Sequence, residues 1–426
     1  MPNRQQSLPS LKQTILVTAA LLLAIATVAV QGAPKSEGKS AKGDAKSAKG
    51  APKAPKKEPE KKPEPEPEAE AEENAKLETF VFKDDSKKSR TVIGRVMVEA
   101  ADGGLLVLSV DGRLWSVEKP NLTSRKASDK DFMPLSGEEL GKVLAEEIGG
   151  KSEIVYTKHY VICSRAGKAY AQWCGALFER LYAAFQNYWK QRGLELGEPD
   201  FPLPALVFAN EKQFAEFATK DAGPDAATAK GYYSIPTNRM VIYDLTGGDG
   251  KGDDIADKLA GTPFNIATVV HEATHQIAFN SGMHTRFADN PLWLTEGMAM
   301  YFETPDLSSK SGWKTVGAVN DLRFNQFAEF TKRGREPDSL KTLLQSDARF
   351  TDAKLMRDAY CEAWALCYFL IKTRKEDFSQ YLVRIANKSE LEWDDPAGRL
   401  KDFQDVFGSD LKKIDADFVK YMAKVK

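Results

Sequence analysis

The chain has four histidines, His159, His271, His275 and His284. Two of them close the motif His271-Glu272-Ala273-Thr274-His275. On a helix, positions i and i+4 share one face a turn apart, so both imidazoles can reach one metal ion. Glu272 leans over the same face and reaches a water held there. A chain of this composition holds roughly 0.003 copies of His-Glu-x-x-His by chance. A pair of merely packed histidines is the bland alternative, but the segment is apolar and buried imidazoles need partners. A catalytic zinc site takes three protein ligands and keeps an open position for water. The metzincin continuation needs Gly at 278 and His at 281, and Ala278 and Ser281 stand there instead. The third ligand is therefore expected on the following segment, Leu292 to Glu303, as Glu296, 21 residues after His275. His284 and Asp289 are its rivals. Glu303, two turns beyond Glu296, is a candidate to orient a ligand histidine from behind. Its alternative reading is a surface carboxylate.

Two helices must carry these groups. Thr262-Pro263 has the form of a helix start, a capping hydroxyl followed by proline, and Gly282 is placed to end that helix. Asn290-Pro291 repeats the start signal before the second helix. Upstream lies a smaller sheet with helices. Ile154 to Ile162 alternates as a strand containing His159, and Ala169 to Arg192 has the three-to-four spacing of a helix. Ala205 to Phe208 reads as a buried strand and Glu211 to Thr219 as a short helix. Gly231–Tyr233 and Arg239–Asp244 read as a hairpin, the second strand being the expected edge for an extended peptide. The loop Gly247 to Gly252 lacks the spacing of a phosphate or calcium loop and reads as mobile surface. Beyond Gly261 nearly everything is helical. The fold class expected is α+β.

The N-terminal part is built differently. Arg4 and Lys12 precede an apolar run from Thr14 to Val30, then small residues to Ala33, which is the pattern of a secretory signal. An uncleaved membrane anchor is the alternative. Residues 34–77 are rich in Lys, Ala, Pro and Glu without a large apolar side chain, a composition that stays unfolded and acts as a spacer or envelope tether. Residues 78–130 hold short apolar runs separated by Asp-Gly turns and are expected to form a small antiparallel β-module ahead of a main domain at 131–426. Asn121-Leu122-Thr123 is a weak glycosylation match. Cys163, Cys174, Cys361 and Cys367 ride in an exported chain. Cys163 with Cys174 is one pairing to consider, four buried thiols the other reading, and Cys361 with Cys367 is excluded by about 240° of helix rotation. The whole chain has 426 residues, 42% apolar and 28% charged, with 60 basic and 61 acidic side chains. That balance gives no case for a nucleic-acid partner.

Val270-His271-Glu272-Ala273-Thr274-His275-Gln276 followed by Leu292-Trp293-Leu294-Thr295-Glu296-Gly297 resembles the gluzincin metallopeptidases, above all those like aminopeptidase N. The stretch from His159 to about Tyr368 looks like an exported bacterial gluzincin-like family. The resemblance implies a zincin-like catalytic domain and one Zn2+ per chain on His271, His275 and Glu296. It further implies Glu272 as general base for a zinc-activated water and a tyrosine some sixty residues past the third ligand as oxyanion donor. Tyr360, in Tyr360-Cys361-Glu362-Ala363, stands at that distance. The Gly-x-Met-Glu-Asn motif that grips a free amino terminus is absent, so the resemblance carries zinc chemistry and not aminopeptidase specificity. The function expected is an exported zinc peptidase acting on peptides or proteins in the periplasm, at the cell surface or outside. A zinc-stabilised envelope-binding protein and a metal-dependent amide hydrolase of cell-wall material are the alternatives.

Overall fold

The computed structural model describes residues 76–246, 263–304 and 316–425. The segments expected to be an export signal and a spacer, up to residue 75, and the glycine-rich loop at 247–252 lie outside them. Within the described residues the architecture is α+β: two five-stranded sheets, then a helical half.

The first sheet contains β1 Lys76–Lys83, β2 Ser89–Glu99, β3 Leu105–Ser109, β4 Leu114–Val117 and β5 Leu122–Asp131. All its pairings are antiparallel, in the order β4-β3-β2-β1-β5. Phe80, Phe82, Val92, Leu105, Val107 and Val117 form one buried cluster. Leu106, Leu108 and Leu114 project the other way, onto Phe201, Tyr233 and Phe279 of the main domain. A strand covered on both faces reads as an unbroken apolar run, which Leu105 to Leu108 is. Strand β5 gave no such signal, because an edge strand of mostly polar, exposed residues needs only its partner's backbone. Strand β1 begins at Lys76, two residues inside the segment expected to be spacer.

Helix α1, Gly137–Ile148, follows and was not anticipated from apolar spacing. Its signal was a capping box: Glu139 N–H donates to Ser136 Oγ at 3.3 Å, and Ser136 N–H donates to Glu139 Oε2 at 2.9 Å. The second sheet contains β6 Glu153–Tyr156, β7 Tyr160–Ser164, β8 Leu203–Phe208, β9 Gly231–Tyr233 and β10 Met240–Tyr243, ordered β6-β7-β8-β10-β9. Strands β7, β8 and β10 are parallel, and α2, Lys168–Lys190, and α3, Glu211–Asp221, lie in the connections. The run Ile154 to Ile162 is a hairpin, turning at Thr157 to His159, rather than one strand. The expected edge, Arg239–Asp244, is corrected as well. Strand β10 lies between β8 and β9, and the outer strand is β9. Cys163 faces the cluster under α1 and α3, while Cys174 faces the one under α2. The two lie on opposite faces of the sheet, and all four cysteines are free and buried.

The helical half comprises α4 Pro263–Asn280, α5 Leu292–Phe302, α6 Asp321–Lys332, α7 Ser339–Gln345, α8 Ala348–Thr351, α9 Met356–Thr373, α10 Lys375–Ala386, α11 Pro396–Phe407 and α12 Leu411–Met422. Every residue of α5 is buried, as is the run Ala359 to Ile371 of α9. Among the described residues no helix is long and apolar enough to cross a membrane.

Candidate metal centre

Helix α4 brings His271 and His275 to one point, and α5 brings Glu296 back to meet them. All three side chains are buried, and their ligand atoms lie within 4.8 Å of one another. His271 Nε2 stands 3.1 Å from His275 Nε2 and 3.2 Å from Glu296 Oε2, while His275 Nε2 is 3.5 Å from Glu296 Oε1. Two imidazole nitrogens aimed at each other beside a carboxylate call for a cation between them. Two histidines and one carboxylate are a donor set that suits zinc and its neighbours in the transition series. Among the described residues this group is the one with metal-ligand spacing.

Glu303 sits behind the site. Its Oε1 is 2.6 Å from His271 Nδ1, and its Oε2 accepts from Asn320 Nδ2 at 2.8 Å. A carboxylate on Nδ1 fixes the ring and aims Nε2 at the point where His275 and Glu296 meet. Burial works against a charged His271, but Glu296 and Glu303 outweigh it and push the imidazole up to about 10. Burial likewise opposes an ionised Glu296, and His275 and His271 hold it down at about 2. The two carboxylates thus favour positive charge at this point, and a metal ion taken up here displaces the His271 proton.

The rival ligands are elsewhere. Asp289 is taken up by Arg399, with Nε at 3.0 Å, and by Lys388 at 3.2 Å. His284 packs on Phe279 with ring centroids 5.2 Å apart, and neither ring nitrogen has a partner. Burial drags its pKa down to about 3.

Glu272 is wholly buried between α4 and β9. Its Oε2 accepts from the Tyr233 N–H at 2.9 Å, and its Oε1 has no partner. Burial raises its carboxyl above the ordinary value, against the pull of His271 and His275. Tyr360 lies in the second turn of α9, its ring edge-on to Phe350 at 5.2 Å and under the Arg323 guanidinium at 5.7 Å. Its hydroxyl is buried and unpartnered. Burial first and Glu296 next raise its pKa well above that of a free tyrosine, so it lies within the field of the Glu296 carboxylate. A cavity of about 40 Å³ borders His275 and Glu296, and a cleft of about 540 Å³ opens between the first sheet and the α4–α5 connection. Phe279, one turn past His275, is a wall of both.

Some supports were invisible in the sequence. The expected Asn290 cap on α5 is replaced by Asp347, whose Oδ1 accepts from Leu292 N–H at 2.9 Å, while Asn290 Nδ2 donates to the carbonyls of Thr285 and Ala288. Asn320 behind Glu303 carried no signal. Gln276 and Asn280 did, because they continue Glu272 at four-residue steps on an otherwise apolar helix.

No curated protein matches the chain. Residues 265–392, a span containing His271, Glu272, His275, Glu296, Glu303 and Tyr360, are similar to the family described as a protein of unknown function (DUF1570).

Proposed function

We propose that the chain is an exported zinc metallopeptidase of the gluzincin kind, with a zincin-like domain that hydrolyses peptide bonds. The observation that carries this reading is the convergence of His271, His275 and Glu296 next to a buried glutamate with one unpartnered oxygen. When bound, zinc supplies Lewis acidity toward a water and a substrate carbonyl. Glu272 Oε1 takes the proton of the attacking water and delivers it to the leaving amine. The Tyr360 hydroxyl donates to the developing oxyanion. Glu303 keeps the His271 ring in register, and Asn320 keeps Glu303 in place. The substrate is a peptide or protein met outside the cytoplasm, with the N-terminal spacer as a tether to the envelope. The test is cleavage of a mixed peptide library by the zinc-loaded chain beside its Glu272→Gln variant. Zinc held without cleavage by the unaltered chain would point to a zinc-stabilised binding protein instead.

A further inference from the structure

Glu272 has neighbours that the mechanism above does not use. On α4, Glu272, Gln276 and Asn280 follow one another at four-residue intervals and form one stripe beside the ligand histidines. All three grip the β9–β10 hairpin. Glu272 receives the Tyr233 N–H at 2.9 Å. Gln276 Nε2 donates to the Asn238 carbonyl at 2.9 Å. The side-chain amides of Asn280 and Asn238 exchange two hydrogen bonds, 2.9 and 2.7 Å long. The Tyr233 hydroxyl closes the set by donating to Asn238 Oδ1 at 2.8 Å. Asn238 is wholly buried with φ at 60°, a conformation that asparagine tolerates better than most side chains.

The opposite side of this hairpin is held by the first sheet. Arg239, wholly buried, sends Nη1 to the Asp111 carbonyl at 3.0 Å and Nη2 to Asp111 Oδ2 at 2.7 Å. Its Nε adds Glu147 Oε2 at 3.3 Å. The Leu114 N–H donates to the Pro236 carbonyl at 2.7 Å. Arg286 Nη1 bridges the carbonyls of Gly112, at 2.8 Å, and Ile235, at 3.3 Å. Gly112 has φ at 81°, and a side chain there would meet Phe201 at 3.3 Å and Asn238 at 3.6 Å. The β3–β4 tip therefore presses on the turn that α4 grips from the other side.

We infer that the first sheet, through the clamp of Asp111 on Arg239, is a positioning element for Glu272. It fixes the turn at 234–239, which fixes the Tyr233 N–H, which holds Oε2 and leaves Oε1 unpartnered. Asp111 and Arg239 are positioning residues in this scheme and touch no substrate. The inference rests on the peptidase reading for its effect on rate, but not for its effect on the hairpin. A base displaced by a fraction of an ångström loses rate without losing binding.

The test uses the full-length, zinc-loaded protein. Asp111→Ala removes the carboxylate, Arg239→Lys keeps the charge but loses the two-pronged grip, and Asp111→Asn keeps the size and one acceptor oxygen. Amide hydrogen exchange over residues 231–234 reads the hairpin, and kcat with KM on one library-selected peptide reads the site. Exchange at Tyr233 should quicken by about tenfold or more in Asp111→Ala and Arg239→Lys. Their kcat should fall about 10- to 100-fold with KM within about threefold. Zinc should stay at one per chain, and Asp111→Asn should restore most of the rate. Unchanged Tyr233 exchange, or a lower melting temperature with kcat unchanged, overturns the inference and leaves a plain interface. Should Asp111→Ala not fold, Arg239→Lys carries the same readouts. Should the unaltered chain cleave no peptide, the peptidase reading fails, while exchange at Tyr233 still decides the clamp.

Discussion

At the scale of single residues, two of the buried oxygens that nothing bonds to carry a role in the proposed chemistry: Glu272 Oε1 and the Tyr360 hydroxyl. An unsatisfied buried polar atom costs about 1–3 kcal/mol, so its persistence asks for a use. For Tyr360 the use proposed is an oxyanion donor, and the competing account is packing against Phe350. Tyr360→Phe separates them. As a donor, the hydroxyl's loss should lower kcat by about 10²–10³ with zinc retained and KM little changed. As packing alone, phenylalanine fills the same space and kcat should hold within about tenfold. The sequence made His271, Glu272 and His275 legible because helix periodicity turns a spacing of four into one face. It made Glu303 a candidate for the same reason, two turns from Glu296. Asn320 stayed hidden, because its meeting with Glu303 comes from how α6 is packed and no spacing rule reaches across that distance.

At the scale of elements, Glu296 is only as well placed as α5, and α5 is placed by its contact with α9. Gly297 is a point of close approach between them. A methyl there would meet Cys367 Sγ at 2.5 Å and the Ala363 carbonyl oxygen at 2.6 Å. Gly297→Ala should therefore destabilise the fold by about 1–3 kcal/mol in denaturant titration, despite alanine's better helix propensity, and should loosen zinc by displacing its neighbour Glu296. Stability equal to or above that of the parent would mean that the two helices have room to spare. The elements with strong periodicity, such as α2 and α4, were readable from the sequence. Strand β5 was not, since a polar edge strand shows no alternation, and the order of β9 and β10 was not, since which strand lies outermost is a property of the assembled sheet. The capping of α5 by Asp347 failed to show for a like reason, the cap lying 55 residues away in the chain.

At the scale of the whole molecule, the β-module is no appendage: its Leu106, Leu108 and Leu114 share a core with Phe279 and Tyr233. His284 faces that same region, buried and without a partner, and ties its stability to pH. Its folded pKa of about 3 lies below the ordinary 6.5 of histidine, so the unfolded chain takes up the proton first as pH falls. Stability is then complete above about pH 6.5 and declines steadily below it, by about 2 kcal/mol at pH 5. In His284→Phe that share of the decline should vanish from unfolding curves taken between pH 7 and 5; an unaltered slope would show that His284 is not neutral in the fold. The architecture as a whole was legible as α+β with small sheets. The docking of the β-module was not, because the Asp111–Arg239 contact joins segments 128 residues apart. The central claim is that Glu272 activates water beside a zinc ion held by His271, His275 and Glu296. The measurement that bears on it most directly is the turnover of a library-selected peptide by Glu272→Gln with one zinc bound. Turnover should fall by about 10²–10⁴ while zinc stays in place; hydrolysis at the parent's rate with zinc bound would contradict the account.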